Sequence, residues 1–141
     1  MSYEALKLEN QLCFPLYACS REVVRLYKPF LDEIGLTYTQ YIAMMVLWEK
    51  NEATVKELGD RLHLDSGTIT PLVKKLQSQG LVTRARDAAD ERSVIVALTE
   101  QGGSLRDKAV SIPEKIGRCI PLTADEAGTL YQLLYKVLKT V

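Results

Sequence analysis

A three-residue connector between two helical segments restricts the fold of this chain more than any other feature. Residues Thr54 to Leu62 carry an apolar stripe at helical spacing and begin with the capping-box pattern Thr54-Val55-Lys56-Glu57. A second helix is predicted from Asp65 or Ser66 to Gln79, with Gly80 as its stop. The connector His63-Leu64-Asp65 has room for nothing but a tight turn. The sequence therefore predicts a helix-turn-helix unit.

The second helix of this unit has two chemically different faces. Apolar side chains recur at i, i+3, i+4 and i+7 and predict a buried face, namely Ile69, Leu72, Val73 and Leu76. The opposite face is polar and basic, and it consists of Ser66, Thr68, Thr70, Lys74, Lys75, Gln77 and Ser78. This pattern predicts a helix that rests on the core and presents its polar face outward.

Two β-strands are predicted after the helix-turn-helix, Leu81 to Arg86 and Ser93 to Leu98, the second rich in β-branched residues. The loop between them, Asp87 to Arg92, is polar and longer than a tight hairpin needs. A helix-turn-helix followed by a charged hairpin is a winged helix-turn-helix. The predicted fold class is mainly α with a small β-hairpin wing (α+β).

Further helices flank the winged lobe, which is predicted to span about residues 39–99. One long helix is predicted over Ala5 to Glu33, with Pro15 either kinking it or marking its true start, and Gly35 ending it. The segment Thr39 to Lys50 is apolar almost all round, which is typical of a buried helix. Two more helices are predicted over Glu100 to Ile116 and Ala124 to Thr140, the last capped by Thr123 with Glu126. We expect residues 1–141 to form a single domain.

The distribution of charge indicates a polyanionic partner. The chain has 18 basic and 18 acidic side chains, which excludes a uniformly basic, histone-like binder. Residues 66–86 nevertheless contain four basic side chains and no acidic one, which leaves a net charge of −4 on the rest. A DNA-binding face and a merely solvated helix face both fit the charge alone. In the DNA reading, the second helix enters the major groove and phosphates are neutralised by Lys74, Lys75, Arg84 and Arg86.

The cysteine content points to a reducing compartment. Three cysteines are an odd number and too few for a secreted disulfide framework. We find no secretory leader and no apolar run of membrane-spanning length, so we expect a cytoplasmic protein without a membrane partner. The chain lacks zinc-ligand spacing, and we expect no metal or other cofactor.

Two sets of residues resemble known regulators. Similarity to the MarR family of bacterial regulators rests on Asp65-Ser66-Gly67-Thr68-Ile69-Thr70-Pro71-Leu72, Lys74-Lys75-Leu76, Asp90-Glu91-Arg92, Leu98-Thr99 and Gly102. Similarity to the organic hydroperoxide resistance regulators of that family rests on Asn10-Gln11-Leu12-Cys13-Phe14, Leu16-Tyr17-Ala18, Tyr27, Leu36-Thr37-Tyr38 and Gln40-Tyr41. The resemblance covers the chain from Leu8 to Gly102 and is weaker beyond it.

The resemblance implies a homodimeric DNA-binding repressor rather than an enzyme. Its dimerisation helices would come from about residues 1–35 and 100–141, whose apolar length exceeds what a winged lobe needs for its own core. Two lobes would bind a pseudo-palindromic operator in double-stranded DNA. By the same resemblance, recognition-helix positions are matched by Asp65, Ser66, Thr68 and Lys75, and wing positions by Asp90 and Arg92.

The resemblance also implies a redox sensor at Cys13. A cysteine reacts as its thiolate, which an ordinary thiol forms only partly at neutral pH. In the family, two tyrosine hydroxyls from the partner subunit hydrogen-bond the sulfur, and these match Tyr27 and Tyr38. Oxidation by an organic hydroperoxide gives a sulfenic acid, after which the operator is released. Cysteine placement alone instead favours the interpretation of Cys13 as a small buried hydrophobic residue.

Two fates are open for oxidised Cys13. It forms a disulfide with Cys119 of the partner subunit, or a low-molecular-weight thiol caps it; the lack of activating neighbours around Cys119 favours the cap. Cys19 lies about 120° around the helix from Cys13 and is interpreted as structural. Two other functions also stay open, a MarR-type regulator that responds to a small aromatic ligand and a thiol peroxidase. The lack of a Cys-x-x-Cys pair argues against the peroxidase.

Overall fold

The computed structural model describes residues 2–140 and is mostly helical, with one small antiparallel sheet. Two short 3-10 helices, Glu4–Leu6 and Leu8–Asn10, precede the first α-helix. The elements that follow are α1 Cys13–Asp32, α2 Tyr38–Lys50, β1 Glu52–Thr54, α3 Val55–Leu62, α4 Ser66–Ser78, β2 Val82–Arg86, β3 Val94–Leu98, α5 Glu100–Ala109, α6 Ile112–Cys119 and α7 Ala124–Leu138. This order confirms the predicted winged helix-turn-helix with flanking helices.

The sheet has the strand order β1-β3-β2, and both pairings are antiparallel. Strands β2 and β3 form the predicted wing, with Val82 opposite Leu98 and Arg86 opposite Val94. Strand β1 was not predicted, because three residues are too short for an alternating pattern. Thr54 ends this strand and also caps α3, its hydroxyl oxygen accepting the N–H of Glu57 at 3.0 Å. The reciprocal half of the predicted capping box is not formed: the Glu57 carboxylate instead accepts from the Thr54 hydroxyl at 3.4 Å.

The N-terminal helix is shorter than the sequence predicts. A helix from Ala5 is wrong, and the alternative of a start near Pro15 is confirmed, since α1 begins at Cys13. Pro15 lies in the first turn, where a backbone N–H has no partner within the helix in any case. Ahead of it, side-chain amides hold the 3-10 turns: Asn10 Nδ2 donates to Glu4 O and Gln11 Nε2 to Ala5 O, both at 2.7 Å. Such local bonds compete with a regular helix.

The predicted helix over Glu100 to Ile116 is also wrong, because the chain breaks there into α5 and α6. Helix α5 ends at Ala109 and α6 begins at Ile112. Pro113 is the reason: it cannot donate to the carbonyl of Ala109, and its ring would clash with that carbonyl in a continuous helix. As the second residue of α6 it is well tolerated. The capping box of Thr123 with Glu126 at the start of α7 is confirmed.

The buried residues of the hydrophobic core all come from residues 31–116 of the sequence. Helix α2 supplies much of it, with Tyr41, Ala43, Met44, Val46 and Leu47 all buried. By contrast, Leu31 is the one buried residue of α1, and none of the residues of α7 is buried. The helices at the two ends of the described chain therefore add little to the core of the lobe.

A tight junction fixes the base of the wing, where β3 passes into α5. The Thr99 hydroxyl at this junction donates to Gly80 O at 2.7 Å, and the Thr99 hydroxyl oxygen also accepts the N–H of Gly102 at 3.0 Å. Gly102 lies so close to the backbone of Leu81 that a Cβ atom there would clash with the Leu81 carbonyl oxygen. The indole N–H of Trp48 donates to Gly102 O at 2.9 Å. A larger residue at position 102 would force these elements apart.

Gly102→Ala is expected to lower the free energy of unfolding by about 3 kcal/mol or more, at or above the usual cost of overpacking, since backbone yields less than a side chain. Urea denaturation measures the change. Gly103→Ala is the matched control, because nothing lies within 4 Å of the Cβ position at the next residue of the same helix. The control should gain about 0.5–1 kcal/mol from helix propensity. Equal stability of the two variants would contradict the packing at Gly102.

Candidate thiol and DNA-binding sites

Helix α4 presents the predicted DNA-facing residues outward. Its buried side is Ile69, Leu72, Val73 and Leu76, as the sequence predicts. On the other side Ser66, Thr68, Lys74 and Lys75 are exposed, and Thr70 is half-buried. Asp65 caps the helix, and its Oδ1 accepts the N–H of Thr68 at 2.8 Å. The Asp65 carboxylate is thus engaged in starting the helix, which fixes where the helix begins.

The turn between α3 and α4 depends on His63, which lies in the predicted connector, and on Gly59, which the sequence did not single out. His63 adopts a left-handed conformation with φ of 54°. Gly59 allows the turn to fold back on α3, because a Cβ there would lie 2.8 Å from the carbonyl oxygen of Leu64. The N–H of Leu64 donates to Gly59 O at 3.0 Å. A glycine inside an otherwise regular helical pattern was the available signal.

The wing loop is held by side-chain bonds from its own residues. Asp90 Oδ1 accepts the N–H of Arg92 at 3.1 Å, and Asp87 Oδ1 accepts that of Ala89 at 2.9 Å. The Arg86 guanidinium donates to Glu91 O at 2.8 Å. Asp90 and Arg86 were predicted to contact DNA, and in the free chain they shape this loop. The side chain of Arg92 is 95% exposed, with its Nε 3.6 Å from Asp90 Oδ1.

Most basic side chains of the DNA-facing surface are not paired with the chain's own carboxylates. Elsewhere, ion pairs join Lys7 to Glu4, Arg25 to Glu22, Lys28 to Asp32, Lys50 to Glu57, Lys56 to Asp60, Arg61 to Glu49 and Arg118 to Glu114. Over residues 2–140, Lys74, Lys75, Arg84 and Arg86 take part in no such pair, although Arg84 is half-buried. Their charges are therefore available to an external anion.

Tyr27 and Tyr38 meet where α1 turns into α2. Their ring centroids are 4.9 Å apart and the planes form an angle of 65°, an edge-to-face contact. The turn is made by Gly35 at a φ of 72° and by a capping box in which Thr37 pairs with the buried Gln40. Tyr38 is the first residue of α2 as a result, and this start sets its ring on that of Tyr27.

Tyr41 extends this pair into a cluster, a role that the sequence analysis did not assign to it. Its ring lies 5.7 Å from that of Tyr27 and 6.3 Å from that of Tyr38. Burial, with a smaller effect of Tyr38 and Tyr41, raises the pKa of Tyr27 to about 12. Burial also raises the pKa of Tyr38, and burial together with Tyr38 raises the pKa of Tyr41. All three hydroxyls therefore remain protonated and able to donate at neutral pH.

Cys13 is exposed and is the first residue of α1. Tyr27 lies fourteen positions further along the same helix, about 21 Å along the axis. Within residues 2–140 no hydrogen bond reaches its sulfur, so a single chain does not assemble the predicted thiol–tyrosine site.

The other two cysteines are exposed as well. Cys119 ends α6, and its sulfur lies 3.4 Å from the carbonyl oxygen of Lys115. The Lys115 ammonium group lies 5.7 Å from the centre of the Phe30 ring, so α6 packs against the far half of α1 from Cys13. Cys19 lies on the exposed surface of α1.

Neither a metal-binding cluster nor a membrane-spanning helix occurs in the described part of the chain. Residues 2–140 hold no group of three or more His, Cys, Asp or Glu side chains arranged to bind a metal ion. In the same range, no helix is long and apolar enough to span a membrane. A cavity of about 280 Å³ lies beside α5 and has no aromatic lining; it is formed by Ile34, Gln79, Leu81, Gln101, Ser104, Leu105 and Lys108.

Comparison with known proteins identifies the family. The family model of the transcriptional regulators SarA/Rot matches residues 25–109. The organic hydroperoxide resistance transcriptional regulator of Bacillus subtilis (strain 168) is 48% identical over 139 residues, which cover 99% of this chain and 95% of that protein. A mutant of MarR from E. coli, complexed with operator DNA, is 26% identical with a TM-score of 0.79, over 98% of this chain and 99% of the MarR chain.

AbfR of Staphylococcus epidermidis is a further relative, with structures in several redox states. Reduced AbfR bound to DNA is 36% identical and has a TM-score of 0.80, over 99% of this chain and 98% of the AbfR chain. Overoxidised AbfR bound to DNA has a TM-score of 0.79 at the same identity and coverage. Disulfide-formed AbfR has a lower TM-score of 0.65 at 37% identity, over 97% of this chain and 93% of the AbfR chain. This chain is a transcriptional regulator rather than an enzyme, and it belongs to the MarR family, in the branch of the organic hydroperoxide resistance regulators.

Proposed function

We propose that the chain is a homodimeric repressor that binds a pseudo-palindromic operator and releases it when an organic hydroperoxide oxidises Cys13. The observation that carries this proposal is the position of the tyrosine pair. Tyr27 and Tyr38 are in contact, yet the thiol of their own chain is about 21 Å away along α1. A second copy of the chain is needed to bring a Cys13 to them.

The exposed apolar surface supports a large interface between two copies. Of the 17 exposed large apolar side chains among residues 2–140, 16 lie in residues 3–26 or 110–137. The surface area of the chain is 10242 Å². A compact monomer of 15.8 kDa should expose about 7,300 Å². An excess of about 2,900 Å² on each chain, twice that for two chains, is on the scale of the large interfaces of obligate dimers, so the end helices serve as the dimerisation helices.

The chemistry at the thiol follows from this arrangement. The partner subunit's tyrosines donate to the Cys13 sulfur and favour its thiolate, which attacks the outer oxygen of the hydroperoxide. The O–O bond breaks, the sulfur is oxidised to sulfenic acid, and the peroxide leaves as an alcohol after taking up a proton. We place this step in the cytoplasm, where small thiols keep Cys13 reduced beforehand.

The second step is the formation of a disulfide. A thiol attacks the sulfenic sulfur, forming an S–S bond and releasing water. The AbfR structures support this step as the trigger: the present fold is nearer to both DNA-bound forms of AbfR than to the disulfide form. In the dimer, Cys13 of one subunit reaches Tyr27 in the second half of the partner's α1. The partner's α6, which ends at Cys119, packs against that same half of α1. That approach supports the disulfide with the partner subunit's Cys119, with a small-thiol cap as its alternative.

The DNA-facing surface determines how the dimer would dock. Helix α4 enters the major groove, with Ser66, Thr68 and Lys75 directed at base edges and sugar-phosphate. Arg92, held at the wing tip by the turn around Asp90, reaches the narrow groove, whose negative potential attracts it. Lys74, Arg84 and Arg86, which form no ion pair within the described residues, neutralise phosphates and make binding dependent on salt.

No observation favours the two other functions. The cavity beside α5 lacks the aromatic walls that suit an aromatic ligand. Cys13 has no second thiol next to it in the chain with which to complete a peroxidase cycle.

Lys75→Ala and Arg92→Ala are each expected to weaken operator binding. The loss should be about 1–3 kcal/mol for a base contact, or a shallower salt dependence for a phosphate contact. Fluorescence anisotropy at several salt concentrations measures both. The matched control is Arg118→Ala, which removes an exposed, ion-paired arginine on α6. Unchanged affinity and salt slope in both test variants would contradict the docking.

Cys13→Ser should bind the operator like the parent protein but no longer release it after one equivalent of cumene hydroperoxide. Cys19→Ser, six residues along the same helix, is the control and should release DNA normally. Non-reducing electrophoresis of the samples reports the product, either a linked dimer that Cys119→Ser abolishes or a monomer with an added small thiol. Release by the Cys13→Ser variant would refute the sensor.

Tyr27 should titrate at a higher pH than an ordinary tyrosine does. Its pKa is raised from 10.0 to about 12, so the folded state holds this proton more tightly than the unfolded state. The resulting stability is complete below pH 10 and is lost as pH rises towards 12. In Tyr27→Phe, phenolate absorbance should lack the transition of this tyrosine. Urea denaturation should show that the free energy of unfolding falls less steeply at alkaline pH than in the parent. Tyr3→Phe, at an exposed residue, is the control, and an identical loss in both variants would contradict the buried cluster.

A further inference from the structure

Helix α2 touches the candidate sensor at one end and the wing at the other. Tyr38, which contacts Tyr27, is its first residue. Trp48 lies ten residues further on, about 15 Å along the axis. Six of the nine residues between them are buried, and a packed interior transmits a displacement rather than absorbing it. The helix is therefore able to move as one rigid element.

Two hydrogen bonds join the far end of α2 to the base of the wing. The Trp48 indole donates to Gly102 O at 2.9 Å. Just beyond the helix, Asn51 O accepts the N–H of Leu98 at 2.9 Å. Leu98 ends β3 and Gly102 lies in the first turn of α5, so both bonds act on the junction that carries the wing. This junction is tightly packed, as the Gly102 contact with Leu81 shows.

Aromatic contacts connect the same two ends. The ring of Trp48 meets that of Tyr41 edge to face, with centroids 6.4 Å apart. Tyr41 in turn contacts both Tyr27 and Tyr38. Trp48 is the chain's one tryptophan, and it is the residue at which the aromatic cluster and the wing junction come together.

We propose that Trp48 is a positioning residue that couples the tyrosine cluster to the wing. A group added to the partner subunit's Cys13 displaces Tyr38, α2 moves with it, and the bond from Trp48 to Gly102 carries the wing along. The wing and the recognition helix then leave the spacing that a two-fold symmetric operator requires. This inference rests on the proposed function, because it takes the position of the signal from the thiol–tyrosine site.

Trp48→Phe tests the coupling, since it keeps an aromatic ring against Tyr41 and deletes the N–H donor. In its reduced state the variant should bind operator DNA as tightly as the parent does. The hydroperoxide should also oxidise its Cys13 at the parent's rate, as followed by thiol titration. The ratio of the oxidised to the reduced Kd should fall at least about fivefold, the lower end of typical coupling between sites. A purely structural role would lower the Tm and leave that ratio unchanged, which would overturn the proposal.

Glu49→Gln is the matched control. Glu49 is the next residue of the same helix, and its ion pair with Arg61 leads to α3 instead of the wing. The control should keep the parent's ratio of affinities, and an equal loss in both variants would overturn the specific role of Trp48. If oxidation of Cys13 leaves the parent's affinity for operator DNA unchanged, the proposed function itself is refuted. If oxidation lowers the affinity of the parent and of Trp48→Phe equally, only the coupling through Trp48 is refuted.

Hydrogen exchange of the single indole N–H gives a second test that needs no substitution. If the bond to Gly102 carries the wing, the indole proton should stay protected in both the reduced and the oxidised protein. Loss of protection after oxidation would show that α2 and the wing separate, and would overturn the proposal.

Discussion

The rigidity of one helix governs how this molecule works. Helix α1 runs unbroken from Cys13 to Asp32 and holds the thiol about 21 Å from the tyrosine with which it is predicted to interact. No rearrangement of side chains closes such a distance. The same helix exposes an apolar surface that the lobe's own core does not use. A second copy both covers this surface and supplies the missing half of the thiol site, so dimerisation and sensing have a common physical origin.

The winged lobe was predictable because its signals are local. Periodic apolar residues, the Asp65 cap and the short connector define α3 and α4 within 25 residues, and the structure keeps the exposed face of α4 as predicted. The end helices were harder, since their limits depend on single prolines and on side-chain amides. Pro113 splits one predicted helix, while Asn10 and Gln11 stabilise turns in place of another.

The tertiary features of the site were beyond a reading of the sequence. Tyr27 and Tyr38 were named from a family motif, but their contact depends on the turn at Gly35 and the buried Gln40. The hydrogen bond from Trp48 to Gly102 joins residues 54 positions apart, and no periodic pattern in the sequence predicts it. Asp90 illustrates the opposite case: it was assigned to DNA, and its carboxylate organises the turn that presents Arg92. Residues that position others leave little trace in sequence patterns.

The central claim is that each thiol site spans two subunits, and mixed dimers test it directly. One chain would carry Cys13→Ser and the other Tyr27→Phe with Tyr38→Phe, each with a different affinity tag. A site that spans subunits leaves this dimer one remaining thiol facing two intact tyrosines. The rate of its oxidation by cumene hydroperoxide should match the parent's rate per thiol. A rate as slow as that of the dimer in which both chains lack the two tyrosine hydroxyls would contradict the account.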